Sequence, residues 1–185
     1  MGYETAVRVL TVVDRPESRS PVEFVGGEAC FLVGERIQDP RNVGVLIRTA
    51  EAGGATCALF SEDSADPYSR AGVRSSTGSI FRVPVVAAAD LADCLKELKT
   101  RGVRIVGTSA QVSVPCREAD LTGPCAVVLG NETAGLSPEV RACCDDLVTI
   151  PMLGGAHSFN VTVAGGIILY ERVRQMNDTF EGVGQ

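Results

Sequence analysis

The sequence predicts an α/β fold built on a mostly parallel sheet with flanking helices. Two observations carry this. Short apolar runs recur along the chain without polar alternation, as strands covered on both faces require. Between them lie stretches with helical periodicity or helix-start signals, and strands that alternate with helices imply a largely parallel sheet. The chain has 185 residues, 45% of them hydrophobic, enough to build the core of one ordinary globular domain.

Taken in order, Val7–Val13 is a possible first strand, Asp14–Pro21 a polar connector and Gly26-Gly27 a turn. Strand-type runs follow at Cys30–Val33, Thr56–Phe60, Val83–Val86, Val103–Val106, Ala126–Leu129 and Leu147–Ile150. Helices are predicted over Val43–Ala52, Leu91–Arg101, Pro138–Cys143 and from about Val161 to Met176. In the second of these, Leu91, Cys94, Leu95 and Leu98 share one face while Lys96, Glu97 and Lys99 point away. The expected organisation is an N-terminal extension over 1–27 and one domain over 28–185.

Composition narrows the function. No apolar run reaches the roughly 18–20 residues needed to span a bilayer. The N-terminus lacks the pattern of a signal peptide, so a cytoplasmic protein with no membrane partner is expected. The seven cysteines are scattered without a CxxC pair, and there is one histidine, His157. That spacing offers neither a disulfide framework nor a metal site, and the cysteines read as reduced, mostly buried apolar side chains. A net charge of −6 argues against nucleic-acid binding by bulk charge. Locally, however, Arg70, Arg74 and Arg82 fall in a stretch without an acid.

Three motifs carry candidate chemistry. The first is Gln38-Asp39-Pro40-Arg41-Asn42-Val43-Gly44, followed by Arg48-Thr49-Ala50. Pro40 keeps Asp39 out of a helix, and Asn42 can cap the helix that carries Arg48. Arg48 stands among Leu46, Ile47 and Ala50 and needs an anionic partner, which can be an ordinary ion pair or a phosphate. The second is Val127-Val128-Leu129-Gly130-Asn131-Glu132 with Gly135-Leu136-Ser137-Pro138, where a buried strand enters a polar loop and a helix starts at Ser137-Pro138. Gly130 allows a ligand close to the backbone, and Glu132 is placed to pair with Arg48; a plain strand–turn–helix connection is the alternative. The third runs from Ile150 through Leu153, Gly154-Gly155, His157, Ser158, Phe159 and Asn160 to Val161. It is a glycine-rich loop able to hold an adenine edge without charge, with Ser158 and Asn160 at a helix start. Ala164, Gly165 and Gly166 in that helix allow close approach of another backbone. His157 reads as an ordinary loop histidine.

In this order the three motifs resemble the signatures of the SpoU branch of the SPOUT methyltransferases, over about Phe31 to Gln175. The absence of GxGxxG argues against a Rossmann-type cofactor site. The resemblance implies a C-terminal trefoil knot, one of the exceptions to unthreaded chains. It implies S-adenosylmethionine as cofactor, held around Thr108, Leu129, Gly130, Ile150, Leu153 and Phe159. Phe159 stands where the family usually has Leu, so a shifted pocket wall is expected. It also implies a homodimer, with the helix from Asn160 to Met176 as interface, and transfer of a methyl to a ribose 2′-hydroxyl. Arg48 is then the catalytic residue, surrounded by Asn42, Glu132, Ser158 and Asn160. A guanidinium is a poor general base, so Arg48 either loses a proton beside other positive charge or anchors a phosphate and steers the hydroxyl. Arg41, Arg70 and Arg74 are the expected RNA contacts, with rRNA ahead of tRNA. Many family members carry a separate N-terminal RNA-binding domain, whereas here residues 1–27 precede the motifs. A catalytically silent RNA- or cofactor-binding module of the same fold is the alternative, and a base-nitrogen methyltransferase ranks lower.

Overall fold

The computed structural model describes residues 11–17, 19–112 and 114–181. Its six strands are β1 (Cys30–Gly34), β2 (Cys57–Ser61), β3 (Val85–Ala88), β4 (Arg104–Thr108), β5 (Cys125–Leu129) and β6 (Asp146–Val148). They form one sheet in the order β3-β2-β1-β5-β4-β6. Every ladder between them is parallel. The helices are α1 (Pro40–Ala52), α2 (Arg70–Ser76), α3 (Leu91–Thr100), α4 (Pro138–Cys143) and α5 (Val161–Glu181).

The unalternating apolar runs have a direct cause. Successive strand side chains point to opposite faces, and both faces of this sheet are covered. On one face Leu32, Ala58, Val127 and Leu129 meet Leu46, Ile47 and Ala50 of α1 and Ile168 and Leu169 of α5. On the other, Phe31, Val33, Leu59, Ile105 and Val128 meet Leu91, Leu95 and Leu98 of α3 and Val140 of α4. Free cysteines fill both layers as small apolar groups: Cys30, Cys57, Cys116, Cys125 and Cys143 are buried.

All six predicted strands are present, with ends displaced by up to two residues. The first helix starts earlier than predicted, because Asp39 rather than Asn42 is its N-cap: the Asp39 side chain accepts from the Arg41 amide, with Pro40 at the first helical position. Helix α2 is an addition to the prediction. It is one short, polar element without an apolar stripe, and its one local signal is Ser69, whose hydroxyl accepts from the Gly72 amide. The possible strand at Val7–Val13 lies in part outside the described residues, and Thr11–Val13 are exposed and without regular structure. Within the chain Gly165 of α5 makes room for side chains: a Cβ there would meet Leu129 Cδ1 at 2.9 Å and Leu46 Cδ2 at 3.2 Å.

The far half of α5 ties the chain back to the start of the sheet. Arg172 is 6% exposed. Its Nη2 donates to the Glu28 carbonyl at 2.8 Å and the Gly123 carbonyl at 3.3 Å, just before β1 and β5. Arg172→Ala would leave two carbonyls short of their donor, at a cost of roughly 1–3 kcal/mol each. We expect a total loss of about 3 kcal/mol by urea denaturation; an unchanged midpoint would remove Arg172 as a clamp.

Candidate active site

Strands β5, β4 and β6 are neighbours, so the loops that leave their carboxyl ends meet in space. They enclose a cavity of about 530 Å³. Thr108–Gln111 after β4, Leu129–Leu136 after β5 and Val148–Ile150 after β6 contribute walls, closed by Met152, His157–Val161 and Ala164. Thr108, Leu129, Gly130, Glu132, Ile150, Ser158, Phe159 and Asn160, all singled out by sequence, therefore face one space. Leu153 does not: it is fully exposed and outside the lining, where Met152 stands instead.

Gly130 has to be glycine for this wall to exist. A Cβ there would sit 2.3 Å from the Gly135 carbonyl carbon and 2.4 Å from the Leu136 nitrogen. The loop doubles back so tightly because Asn131 and Gly135 exchange backbone hydrogen bonds at 3.1 and 2.9 Å. The Asn131 Oδ1 also accepts from the Thr133 and Ala134 amides at 3.0 and 2.9 Å, and its Nδ2 donates to the Arg36 carbonyl at 2.8 Å. Asn160 organises the opposite wall: its Oδ1 accepts from the Thr162 amide at 2.9 Å and the Thr162 hydroxyl at 2.6 Å at the entry to α5. Ser158 is exposed on the same loop, and the capping at this entry comes from Asn160.

The first and second motifs are joined differently from the sequence expectation. Glu132 Oε1 accepts from Asn42 Nδ2 at 2.9 Å, so its partner is Asn42 and not Arg48. Arg48 is exposed, and no ion pair or hydrogen bond of its side chain is found among the described residues. Its position in α1 explains this. Leu46, Ile47 and Ala50 turn to the core, while Val45 and Arg48 stand on the outward side. Arg41 is engaged locally, its Nη2 3.0 Å from Asp39 Oδ2, which holds the Asp39 carboxyl below its ordinary range. Arg70 and Arg74 are exposed on α2, away from the cavity lining.

Sequence reasoning missed two residues. Glu35, directly after β1, is 4% exposed, and its Oε2 accepts from the Ser137 amide at 2.9 Å. It lashes the end of β1 to the start of α4 and so fixes the 130–137 loop from below. The signal was an acid at the very end of a buried apolar run, where only a paired carboxylate is tolerated. Glu35→Ala would orphan the Ser137 amide beside Arg36, and we expect about 3 kcal/mol of lost stability, with faster amide exchange over 131–137. Unaltered exchange there would sink that role. The second is Arg141 of α4, an exposed cation on the cavity lining; its signal was its closeness in sequence to the second motif.

Among the described residues no group of three or more His, Cys, Asp or Glu side chains could hold a metal ion, and no helix is long and apolar enough to cross a membrane.

Comparisons with known proteins agree with this geometry. Residues 29–170 match the family described as the SpoU rRNA Methylase family. The chain is 39% identical over 154 residues to the 23S rRNA (guanosine-2′-O-)-methyltransferase RlmB of Xanthomonas axonopodis pv. citri (strain 306), covering 83% of this chain and 62% of that protein. Among solved structures it is similar to the SpoU methyltransferase AviRb from Streptomyces viridochromogenes, with a TM-score of 0.83 at 34% identity over 88% of this chain and 66% of that one. The same enzyme in complex with the cofactor AdoMet gives a TM-score of 0.79 at 35% identity, over 85% of this chain and 62% of that one. The A. aeolicus TrmH/SpoU tRNA modifying enzyme gives 0.75 at 33% identity, over 82% of this chain and 77% of that one. The chain thus spans 62% of the length of the RlmB relative. With its parallel sheet, its second and third motifs lining one cavity, its first tied to them by the Asn42–Glu132 hydrogen bond, and a match over most of its length, the chain belongs to the SpoU rRNA methylase family.

Proposed function

We propose that the chain is an S-adenosylmethionine-dependent methyltransferase acting on a ribose 2′-hydroxyl of RNA, with ribosomal RNA as the substrate class. The observation that carries this reading is the meeting of the loops after β4, β5 and β6 around one cavity of about 530 Å³, in a chain of this family. The volume falls in the range of small-molecule sites, roughly 300–1,000 Å³. The walls fit a nucleoside: backbone edges at Gly130 and Ile150, and apolar surface from Leu129 and Phe159. AviRb has been solved in complex with the cofactor AdoMet, and the RlmB relatives are named as 23S rRNA methyltransferases.

S-adenosylmethionine, when bound, supplies an electrophilic methyl group. The chain's own residues have to bring a hydroxyl to it in the right orientation. Asn42 and Glu132 hold each other across the first two motifs and fix the rim where α1 begins. Arg48 stands in solvent without a carboxylate, a cation suited to gripping an RNA phosphate and steering the adjoining ribose. Because Arg48 points outward and is absent from the cavity lining, we place it at the cavity of a second copy in a homodimer. Exposed Val45, Phe159, Val163 and Tyr170 on α1, the third loop and α5 supply apolar surface for that contact. Within this reading the segment 28–185 is the methyltransferase domain, knotted at its C-terminal end and working in the cytoplasm.

The test is tritiated methyl transfer from S-adenosylmethionine to total RNA of a strain lacking the gene, followed by nucleoside analysis. A labelled 2′-O-methyl nucleoside in ribosomal RNA is expected. Cofactor binding without incorporation into any RNA would leave a silent binding module of the same fold.

A further inference from the structure

A second surface lies on α2, which packs against α1 through Gly72, Ser75 and Ser76. Helix α2 carries Arg70 and Arg74 four residues apart, hence on one face, and both are exposed. Neither has an ion-pair partner among the described residues, although the chain as a whole is acidic with a net charge of −6. Two like charges at this spacing repel each other, and an anion laid across them removes the repulsion.

After α2 the backbone turns through Thr77 and Gly78 into a 3-10 turn over Ser79–Phe81. There Ser79 and Ile80 are buried, yet Phe81 is 68% exposed. The ring is not on a loose tip. The Phe81 amide donates to the Gly78 carbonyl at 3.2 Å and the Arg82 amide to the Ser79 carbonyl at 2.9 Å. Arg82 is in turn gripped by Glu51 of α1, its Nη2 donating to Glu51 Oε2 at 2.9 Å. That pairing holds the Glu51 carboxyl down at about 2. Glu51 lies one helical turn after Arg48 on α1, so the turn bearing Phe81 is pinned beside the residue assigned to the ribose.

A solvent-facing aromatic on a hydrogen-bonded turn that follows a helix bearing two unpaired arginines offers what binds a single strand: a ring for bases to stack on and cations for phosphates. Net negative protein charge disfavours duplex binding by bulk electrostatics and leaves such a local platform as the means of capture. We propose that Phe81 stacks on a base of an unpaired RNA strand whose phosphates run over Arg70 and Arg74, next to the nucleotide that Arg48 positions. This rests on the RNA-methyltransferase reading above and names the form of RNA that the site takes.

The test compares the wild-type chain with Phe81→Leu and Phe81→Tyr, using a fluorescein-labelled single-stranded oligoadenylate and its duplex with oligouridylate. Phe81→Leu is expected to weaken single-strand binding about 10-fold, the order contributed by one stacked base. Duplex binding and S-adenosylmethionine binding stay unchanged, and Phe81→Tyr restores the single-strand affinity. In the transfer assay the leucine variant raises KM for RNA and leaves kcat alone. Wild-type affinity in Phe81→Leu, or an altered oligomeric state by sedimentation, overturns the proposal, the latter because the ring would then cover a protein interface. If the wild-type chain transfers methyl but Phe81→Leu keeps its KM, stacking alone fails. If the wild-type chain neither binds RNA nor transfers methyl, the functional reading fails and stacking fails with it.

Discussion

Arg48→Ala is expected to lower methyl transfer at least about 100-fold, the scale on which one positioned catalytic or charge-stabilising group is felt. The fold should hardly notice. Arg48 is exposed and has no side-chain partner among the described residues, and surface changes of that kind stay within roughly 0.5 kcal/mol. Cofactor affinity should also hold, because Arg48 does not line the cavity of its own chain. Three measurements separate the cases: single-turnover transfer, calorimetric binding of S-adenosylmethionine and urea denaturation. Transfer at the wild-type rate would take Arg48 out of the mechanism. Lost cofactor binding would place it in the cavity wall instead.

Gly130→Ala should fail in the opposite way, by losing the cavity. Its new Cβ would lie 2.3 Å from the Gly135 carbonyl carbon, backbone that cannot step aside as a flexible side chain could. The loop is held there by the paired Asn131 and Gly135 backbones and from below by Glu35 at the Ser137 amide. Forced overpacking of this kind costs about 1–3 kcal/mol or more. We expect a loss of about 3 kcal/mol in stability and a drop in cofactor affinity of more than about 10-fold, since the wall itself must move. Gly154→Ala is the control: a Cβ at Gly154 meets nothing within 4 Å, so this variant should bind and fold as the parent does. Equal cofactor affinity in the two variants would show that the 130–136 turn is not a binding wall.

How much of this was legible beforehand depends on how far apart the interacting residues lie. The strands were visible because burial on both faces writes itself into each run, as in Phe31–Val33 and Ala126–Leu129. The start of α4 was visible because Ser137 and Pro138 act within one turn, and the Ser137 hydroxyl does accept from the Val140 amide. Asn42 was misread as a cap because Asp39 and Pro40, also in plain view, compete for that place and do it better: Asp39 sits outside the helix and Pro40 needs no donor. Helix α2 escaped because its packing against α1 shows no periodic stripe over so few residues.

By itself the sequence determined the α/β class, the positions of the strands along the chain and the three loops in which the chemistry had to be sought. These follow from contacts within a few residues or from the two-sided burial of each strand. The tertiary structure alone decided that Glu132 answers Asn42, 90 residues away, and not Arg48. It alone decided that Glu35 anchors Ser137 across 102 residues, that Leu153 turns to solvent and that Arg48 faces outward. Such partnerships depend on the order β3-β2-β1-β5-β4-β6, which sets which loops become neighbours. No local pattern encodes that order, because strands distant along the chain are brought side by side only by the packing of the whole sheet.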